Sequence, residues 1–198
     1  MNSHRFLLQQ VILYCFFATV TVYGQNKYEK STQSVIEKEL EGKPVYSNLS
    51  LIENLSKIDN FSIYSKMLEL VDFENLIKDE EMVTVFVVPN SAFSHMTDEE
   101  LDEFLVLSNL EQLKTLVSNY VIPGRVDKHA LLKAIESGNG SAKFRTLNLK
   151  NLLVTYENSS VYLLSEQGIK NKLLQTNFHH SKGFFHLSSG LALSKSQN

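Results

Sequence analysis

Three histidines in the C-terminal part of the chain are the first residues whose type suggests metal chemistry. His179 and His180 are adjacent, and His186 follows in an apolar run with Phe184. Neighbouring residues of a strand point to opposite faces, so His179 and His180 cannot easily hold one ion together. No Cys, Asp or Glu occurs after Glu166 to complete a ligand set. We therefore predict a buried, hydrogen-bonded structural role for His186, no metal site and no cofactor.

The densest group of acidic side chains could in principle perform acid and base catalysis. It follows Thr97 and comprises Asp98, Glu99, Glu100, Asp102 and Glu103. Thr97 and Glu100 match the capping box of a helix, and carboxylates in a first helical turn favour the helix dipole and face solvent. The chain also lacks a Gly-x-Ser-x-Gly elbow, a glycine-rich phosphate loop and a His-Glu-x-x-His run. We expect no enzymatic activity.

The overall composition is that of one globular domain. The chain has 198 residues, of which 43% are hydrophobic and 21% charged, and its net charge is −3. The lysines are scattered among polar residues without exposed aromatic neighbours, as at Lys143, Lys150, Lys170 and Lys172. A nucleic-acid binder would show a basic, aromatic-bearing surface, so we exclude that class.

The N-terminal segment has the three parts of a signal peptide. Arg5 precedes the apolar run Phe6 to Val22, and small Gly24 stands before Gln25. We predict cleavage between Gly24 and Gln25 and therefore export from the cytoplasm. A lipid anchor on Cys15 is disfavoured because a bulky tyrosine precedes it. An uncleaved anchor is disfavoured because the run is shorter than the roughly 20 apolar residues that span a bilayer.

The remaining chain divides by composition. After the signal peptide at 1–24 we expect a polar leader or tether at 25–47, one domain at 48–193 and a short tail at 194–198. Part of the leader could be helical, because Val35, Ile36 and Leu40 recur near the helical period, but its apolar face is narrow. We predict no membrane span after signal removal.

Helical patterns come first within the domain and strand patterns follow. Helical periodicity covers 51–58 and 61–71, a buried strand runs from Val83 to Val88, and helix starts lie at Thr97, Ser108 and Asp127. From 144 onward the period is two. The expected strands are 144–149, 152–157, 161–164, 184–187 and 191–193, with a hairpin turn at Asn158-Ser159. This order indicates an α+β fold.

Three separated blocks of this pattern resemble the signature blocks of the fasciclin domain family. They span residues 84–93, 120–126 and 182–193, in the order and spacing of that family. The residues that carry the resemblance are Thr84, Phe86, Pro89, Asn90, Ala92, Phe93, Pro123, Gly124, Gly183 and His186. We treat them as a structural signature rather than as a binding site.

The resemblance implies N-terminal and central helices packed on a β-wedge of mostly antiparallel strands. It also implies a secreted or cell-envelope protein that mediates adhesion or binds a protein or glycan at the cell surface or matrix. Asn119-Tyr120 stand where animal members carry a Tyr-His pair linked to integrin contact, so that role is not carried over. Ser189 and Ser194 replace the acidic residue and the proline of the closing block.

Two further questions stay open at this point. The many Leu, Phe and Tyr residues near helix and sheet edges allow an alternative function, in which a groove holds a small apolar ligand. Five asparagines also begin Asn-x-Ser sequons, and we expect each at a surface or cap position. They are Asn48, Asn54, Asn60, Asn139 and Asn158.

Overall fold

The computed structural model describes residues 35–106, 109–164 and 168–191. The helices of this part are α1 Leu51–Leu55, α2 Ser62–Leu70, α3 Phe73–Leu76, α4 Asp98–Phe104, α5 Leu110–Ser118 and α6 Lys128–Ser137. The strands are β1 Glu37–Leu40, β2 Lys43–Tyr46, β3 Val83–Val87, β4 Val121–Pro123, β5 Ser141–Arg145, β6 Asn151–Glu157, β7 Ser160–Leu164, β8 Lys170–His180 and β9 Gly183–Ser188. The predicted signal peptide and the predicted tail lie outside the described residues.

Seven strands form one sheet in the order β4-β3-β9-β8-β7-β6-β5, and β1 and β2 form a separate hairpin. Within the sheet β3 and β9 are parallel, and the other neighbours are antiparallel. The backbone N–H of Leu147, just after β5, donates to the carbonyl of Val121 in β4 at 2.7 Å. The two ends of the strand order therefore approach each other. The predicted α+β fold with mostly antiparallel strands is confirmed.

One part of the core is formed by β3 and the N-terminal helices. All five residues of β3 are buried, as expected for an apolar β-branched strand with neighbours on both sides. Helix α2 buries Tyr64, Met67 and Leu68 at helical spacing, and the Tyr64 hydroxyl donates to the Phe86 carbonyl at 3.2 Å. This contact fixes the helix against the strand that leads into the first signature block.

The β1–β2 hairpin corrects the predicted polar leader. Residues 37–46 form two short strands rather than a helix or tether, and Leu40 and Val45 are 0% and 1% exposed. Their side chains belong to the same core as the helices. The compact part of the chain therefore begins before Asn48, the predicted boundary.

Helix starts follow the predicted capping chemistry at two of three places. Thr97 and Glu100 form the reciprocal capping box of α4, and the Asp127 carboxylate accepts from the Ala130 N–H at 2.8 Å. The third predicted cap, Ser108, lies outside the described residues. At the start of α5 the structure places Asn109, whose side chain makes no capping bond to that helix.

The strand predictions hold better in their bounds than in number: the predicted bounds of β3, β6, β7 and β9 agree with the structure to within one residue, whereas β1, β2, β4 and β8 were not predicted as strands. Strand β5 begins three residues before the predicted start at Phe144, and β8, the 11-residue strand Lys170–His180, was not predicted as a strand. The turn at Asn158-Ser159 is confirmed, with φ angles of 48° and 60° that suit a two-residue hairpin. Leu191 is not in a strand, and the rest of that predicted strand lies outside the described residues.

One sequon asparagine is buried, although a surface or cap position was predicted for it. Asn54 is 0% exposed, because its side chain fastens the end of the β1–β2 hairpin to α1. Its Oδ1 accepts from the Tyr46 N–H at 2.9 Å, and its Nδ2 donates to the Tyr46 carbonyl at 3.0 Å. An amide in this position cannot carry a glycan in the folded protein.

Candidate functional site

The segment 123–126, which starts at the last residue of β4 and leads to α6, is the Pro-Gly loop of the second signature block. Thr84, 0% exposed in β3, holds this loop through its side chain. Its Oγ1 donates to the Gly124 carbonyl at 2.9 Å and accepts from the Val126 N–H at 2.8 Å. Because one hydroxyl bridges two backbone groups of the loop, the backbone on both sides of Arg125 is fixed.

His186 holds the same loop from β9. Its Nδ1 accepts from the Asn177 N–H at 3.1 Å, and its Nε2 lies 2.8 Å from the Val126 carbonyl oxygen. A backbone N–H can only donate, so Nδ1 carries no proton and Nε2–H is the donor to Val126. Burial is the main cause that lowers the pKa of His186 to about 4. The imidazole is therefore neutral and structural, as the sequence predicts.

The backbone geometry at Gly183 explains the glycine of the third signature block. Its φ is +137°, and a Cβ built on it would lie 2.2 Å from the Val83 carbonyl oxygen. Gly183 pairs with Val83 in the parallel β3–β9 ladder. Glycine thus allows the two backbones to approach at the start of the strand that carries His186. Phe86, also 0% exposed, lies with its ring centroid 5.5 Å from that of His186.

The other predicted signature residues lie beyond the opposite end of β3. Asn90 Oδ1 accepts from the Ile63 N–H at 3.1 Å, and its Nδ2 donates to the Asp59 carbonyl at 3.0 Å. Phe93 is buried against Phe104 at 6.3 Å between ring centroids. Pro89, Asn90, Ala92 and Phe93 therefore anchor the start of α2 and the turn after β3. They are not part of the Pro-Gly loop cluster.

The exposed side of the Pro-Gly loop carries a stacked arginine. The Arg125 guanidinium carbon lies 4.6 Å from the centroid of the Phe184 ring, which is 3% exposed. His179 pairs with Phe184 across the β8–β9 ladder, and its ring centroid lies 4.5 Å from that of Phe184. Arg125 and His179 thus share one aromatic support.

Lys38 of the β1–β2 hairpin contacts the other face of β8, to which Phe178 points. The Lys38 Nζ lies 4.0 Å from the Phe178 ring centroid and donates to the Thr176 carbonyl. Burial lowers the pKa of Lys38. Burial also lowers the pKa of His179, with smaller contributions from the charges of Arg125 and Lys38. The lowered pKa leaves His179 neutral at neutral pH, so Arg125 is the charged group on Phe184. We call Arg125, together with the Phe184 and His179 rings beside it, the cationic face.

The opposite side of the Pro-Gly loop borders a cleft of about 410 Å³, which we call the loop–strand cleft. Its apolar lining comprises Ile122, Pro123, Val126, Phe144, Leu147 and Leu149. Lys143, Arg145 and Glu80 add charge to the lining. A second cleft of about 380 Å³, between α6 and β6, is lined by Leu132, Ile135, Glu136, Gly140 and Tyr156. Both clefts are large enough to receive apolar groups.

A family model and a solved structure can be compared with this fold. The model of the fasciclin domain matches residues 59–187. The chain belongs to the fasciclin domain family. Among solved structures, it is similar to the FAS1 domain pair of the insect cell adhesion molecule fasciclin I, with a TM-score of 0.62 and 12% sequence identity. The alignment covers 80% of this chain and 58% of that chain, so this chain spans less than two thirds of that pair.

A search of curated proteins finds no match to this fasciclin domain. At 12% sequence identity, the likeness to the fasciclin I domain pair supports the fold and does not identify a binding partner of this chain. Within 35–106, 109–164 and 168–191, no helix is long and apolar enough to cross a bilayer. The same residues contain no group of three or more His, Cys, Asp or Glu side chains arranged to hold a metal ion.

The histidine and acidic candidates occupy separate places in the fasciclin domain. His180 is 4% exposed, whereas His179 on the opposite face of β8 is half-buried, as strand alternation predicts. The acidic group that follows Thr97 lies along α4, and its carboxylates are exposed. The structure does not bring these two groups together into one site.

The sequence pointed to His179 only as a metal ligand, a role that strand alternation disfavours, and it did not point to Arg125. Arg125 is visible directly after the Pro-Gly pair, but its support by Phe184 depends on strand β9, far along the chain. The pairing of His179 with Phe184 can be inferred from a tight turn at Ser181-Lys182, since that turn sets the β8–β9 register.

Proposed function

We propose that this fasciclin domain acts outside the cytoplasm as a non-enzymatic adhesion or binding module. Its recognition surface is the cationic face beside the Pro-Gly loop. The observation that carries the proposal is an exposed arginine whose backbone is held by Thr84 and His186 and whose guanidinium lies on the buried Phe184 ring. Family membership supports it, as does the adhesive role that the name of the fasciclin I neighbour states for that insect protein.

A fixed arginine suits such a role for energetic reasons. Binding immobilises side chains at the interface, and a flexible lysine or arginine loses rotamer freedom when a partner docks. Arg125 already rests against Phe184, so part of that entropy is lost on folding instead. Arginine is also enriched among the few residues that dominate binding energy at protein interfaces.

The extracytoplasmic location rests on the N-terminal sequence pattern and on the family. The predicted cleavage between Gly24 and Gln25 is tested by mass spectrometry of the protein recovered from its own cells. A mature N-terminus at Gln25 in the exported fraction supports the location. A chain that retains Met1 and stays in the cytoplasm overturns it.

Adhesion is tested with the mature protein immobilised on a surface. Cells of the source organism, or matrix prepared from them, are passed over it and the retained material is measured against an albumin-coated surface. Retention above that background supports the proposal. Retention equal to background, with folded protein confirmed by circular dichroism, argues against it.

The loop–strand cleft favours a second candidate function, the binding of a small apolar ligand. Its volume of about 410 Å³ and its mainly aliphatic and aromatic lining suit such a molecule. Native mass spectrometry of protein purified without detergent tests this candidate. A bound organic mass that is lost in Leu147→Asp supports it, and bare protein throughout argues against it.

A further inference from the structure

We infer that the outward face of strands β5–β8 binds a linear polysaccharide that carries carboxylate groups. This inference goes beyond the proposed function, because it concerns a different surface from the cationic face and names the chemical class of its ligand. It rests on the cross-strand register, on the side chains that the register brings together, and on the size and charge of the surface that they form.

Strands β5–β8 have one face in the core and one face outside it. The core face carries Leu152 and Val154 of β6 and Leu163 of β7, all of them buried. Helix α6 contacts β5 and β6 and adds Leu131 and Ile135 to the same core. Successive residues of a strand point to opposite faces, so the residues that alternate with these core residues point outward.

The strand register aligns the outward side chains of β5–β8 in two rows. The first row crosses the four strands in the order Lys143, Leu153, Leu164 and Lys170. The second row lies beside it in the order Ser141, Thr155, Tyr162 and Lys172. On β5, Arg145 lies next to the first row. We call the surface formed by the two rows and Arg145 the outer sheet face, and it gathers lysines that are scattered in the sequence.

The edges of the outer sheet face carry more positive than negative charge. Its exposed cations are Lys143, Arg145, Lys170 and Lys172. Glu157 at the end of β6 pairs with Lys170 at 2.8 Å. In the part of the chain that the structure describes, no Asp or Glu oxygen lies within 4.0 Å of the other three cations. Acidic groups from outside can therefore neutralise charges that this part of the chain leaves without an ion pair.

The middle of the outer sheet face combines apolar and hydroxyl groups. Leu153, Leu164 and Tyr162 are half-buried between the cations of β5 and those of β8. Ser141 and Tyr162 in the second row supply hydroxyl groups. A sugar ring presents C–H groups on its faces and hydroxyls on its rim, so it matches both kinds of surface. An acidic sugar chain thus contacts the cations and the middle of the face together.

The size of the outer sheet face favours a linear chain over a globular protein. Neighbouring strands are about 4.8 Å apart, so the four strands span about 14 Å, and Ser141 to Arg145 span roughly 13 Å along β5. The area is on the order of 200 Å², whereas a stable protein–protein interface buries about 800 Å² on each partner. A single polymer chain that crosses the strands needs no larger surface.

The charge and the side chains of the face select a carboxylated polysaccharide among linear anions. Single-stranded nucleic acids bind through bases that stack on exposed aromatic rings, whereas Tyr162, the aromatic residue of the two rows, is half-buried. The net charge of the whole chain is −3, which opposes a polymer with a charge on every unit. A polysaccharide with a carboxylate on alternate sugars carries few charges, and separate cations at the two edges can bind them.

Amide chemical shifts of the ¹⁵N-labelled mature protein measure the affinity and locate the ligand. The probe is a hyaluronate oligosaccharide, which carries a carboxylate on every second sugar. Its control is the same oligosaccharide with the carboxyl groups reduced to alcohols. We expect the probe to shift the amides of Leu153, Tyr162 and Lys172, with an affinity that falls as salt rises. The reduced control should bind at least about tenfold more weakly, since it lacks the charge-assisted contacts.

Two double variants test the cations at the edges of the outer sheet face. Lys143→Gln combined with Lys172→Gln should weaken binding of the probe about tenfold, since an exposed charge contact contributes a factor of up to about five. Lys66→Gln combined with Lys133→Gln removes the same charge from exposed helical lysines and should change the affinity less than about twofold. Lys143 also borders the loop–strand cleft, whereas Lys172 lines neither cleft. Lys172→Gln alone should therefore weaken binding about threefold.

Several results would overturn the inference. A probe that shifts none of these amides, or that binds no better than its reduced control, shows that the face does not recognise carboxylated sugars. Equal weakening by the two double variants, or no effect of Lys172→Gln, shows that the cations of this face do not hold the ligand. A single-stranded oligonucleotide or a glutamate-rich peptide that binds the same face more tightly than the probe assigns it to another class of partner.

Discussion

The Nε2 atom of His186 lies 2.8 Å from the carbonyl oxygen of Val126 and so joins strand β9 to the Pro-Gly loop. The ring also accepts the Asn177 N–H through Nδ1. Both nitrogens are therefore occupied in the neutral tautomer, and a proton added at Nδ1 would face another donor. The loop that presents Arg125 thus depends on an uncharged histidine.

This arrangement predicts that acid destabilises the protein through its buried histidines. His180 and His186 both have pKa values lowered to about 4, mainly by burial, from an ordinary value of 6.5. Between pH 6.5 and 4 the unfolded chain therefore binds protons that the folded chain does not. Stability is full above this window and falls as the pH drops through it, by up to about 1.4 kcal/mol per pH unit for each histidine.

The measurement is the urea midpoint between pH 4.5 and 7.5 for the wild-type protein and for His186→Gln. Glutamine can offer one donor and one acceptor but does not titrate. The pH dependence of the unfolding free energy of the variant should therefore correspond to up to one bound proton fewer than that of the wild type. His180 is unchanged in the variant and serves as the internal reference. An identical pH slope in both proteins would show that His186 is not buried and neutral.

Replacing Thr84 tests the second anchor of the Pro-Gly loop. Thr84→Val keeps the shape and removes the hydroxyl, so the Gly124 carbonyl and the Val126 N–H lose their partner. We expect a loss of about 1–3 kcal/mol in the free energy of unfolding, measured with urea. Thr84→Ser keeps the hydroxyl and should lose clearly less. Equal losses in both would assign the effect to the methyl group instead.

A pair of glycine substitutions separates steric contact from backbone strain. Gly183→Ala places a Cβ 2.2 Å from the Val83 carbonyl oxygen at a φ of +137°, whereas Gly124→Ala at +98° meets no atom within 4 Å. Gly124→Ala should cost roughly 1 kcal/mol of strain. Gly183→Ala should cost several times more or prevent folding, because it forces β3 and β9 apart. The thermal midpoints of the two variants measure this difference. Similar midpoints would contradict the close approach of β3 and β9 at Gly183.

The β1–β2 hairpin should be needed for full stability. Leu40→Ala removes a side chain that is 0% exposed and should cost about 2–5 kcal/mol, whereas Val35→Ala, at a position 51% exposed, should cost less than about 0.5 kcal/mol. Urea unfolding of both variants measures the difference. If Leu40→Ala is as stable as Val35→Ala, the hairpin does not contribute to the core and acts as a tether.

Much of the fold could be predicted because its local signals are strong. The Thr97 and Glu100 pair and the apolar run of β3 determine their elements from neighbouring residues alone. The β1–β2 hairpin could not be predicted in this way. Its strands have four residues each, and Leu40 and Val45 are the side chains that it buries among charged neighbours.

The candidate site was harder to predict for a different reason. In the sequence Arg125 is indistinguishable from other loop residues. Its contact with Phe184 depends on the parallel pairing of β3 with β9, which no local pattern indicates. Asn54 likewise looks like a surface amide until the backbone groups around it are known. Tertiary partners, rather than local pattern, decide both cases.

The adhesion assay with Arg125→Gln tests the central claim most directly. Equal amounts of immobilised wild-type, Arg125→Gln and Lys66→Gln protein are compared for retained cells of the source organism, at low and at physiological salt; Lys66 is an exposed lysine of α2 that lines neither cleft. We predict that Arg125→Gln loses most of the retention while Lys66→Gln stays near wild type, with the largest difference at low salt. Retention by Arg125→Gln equal to that of Lys66→Gln would contradict the assignment of the cationic face as the recognition surface.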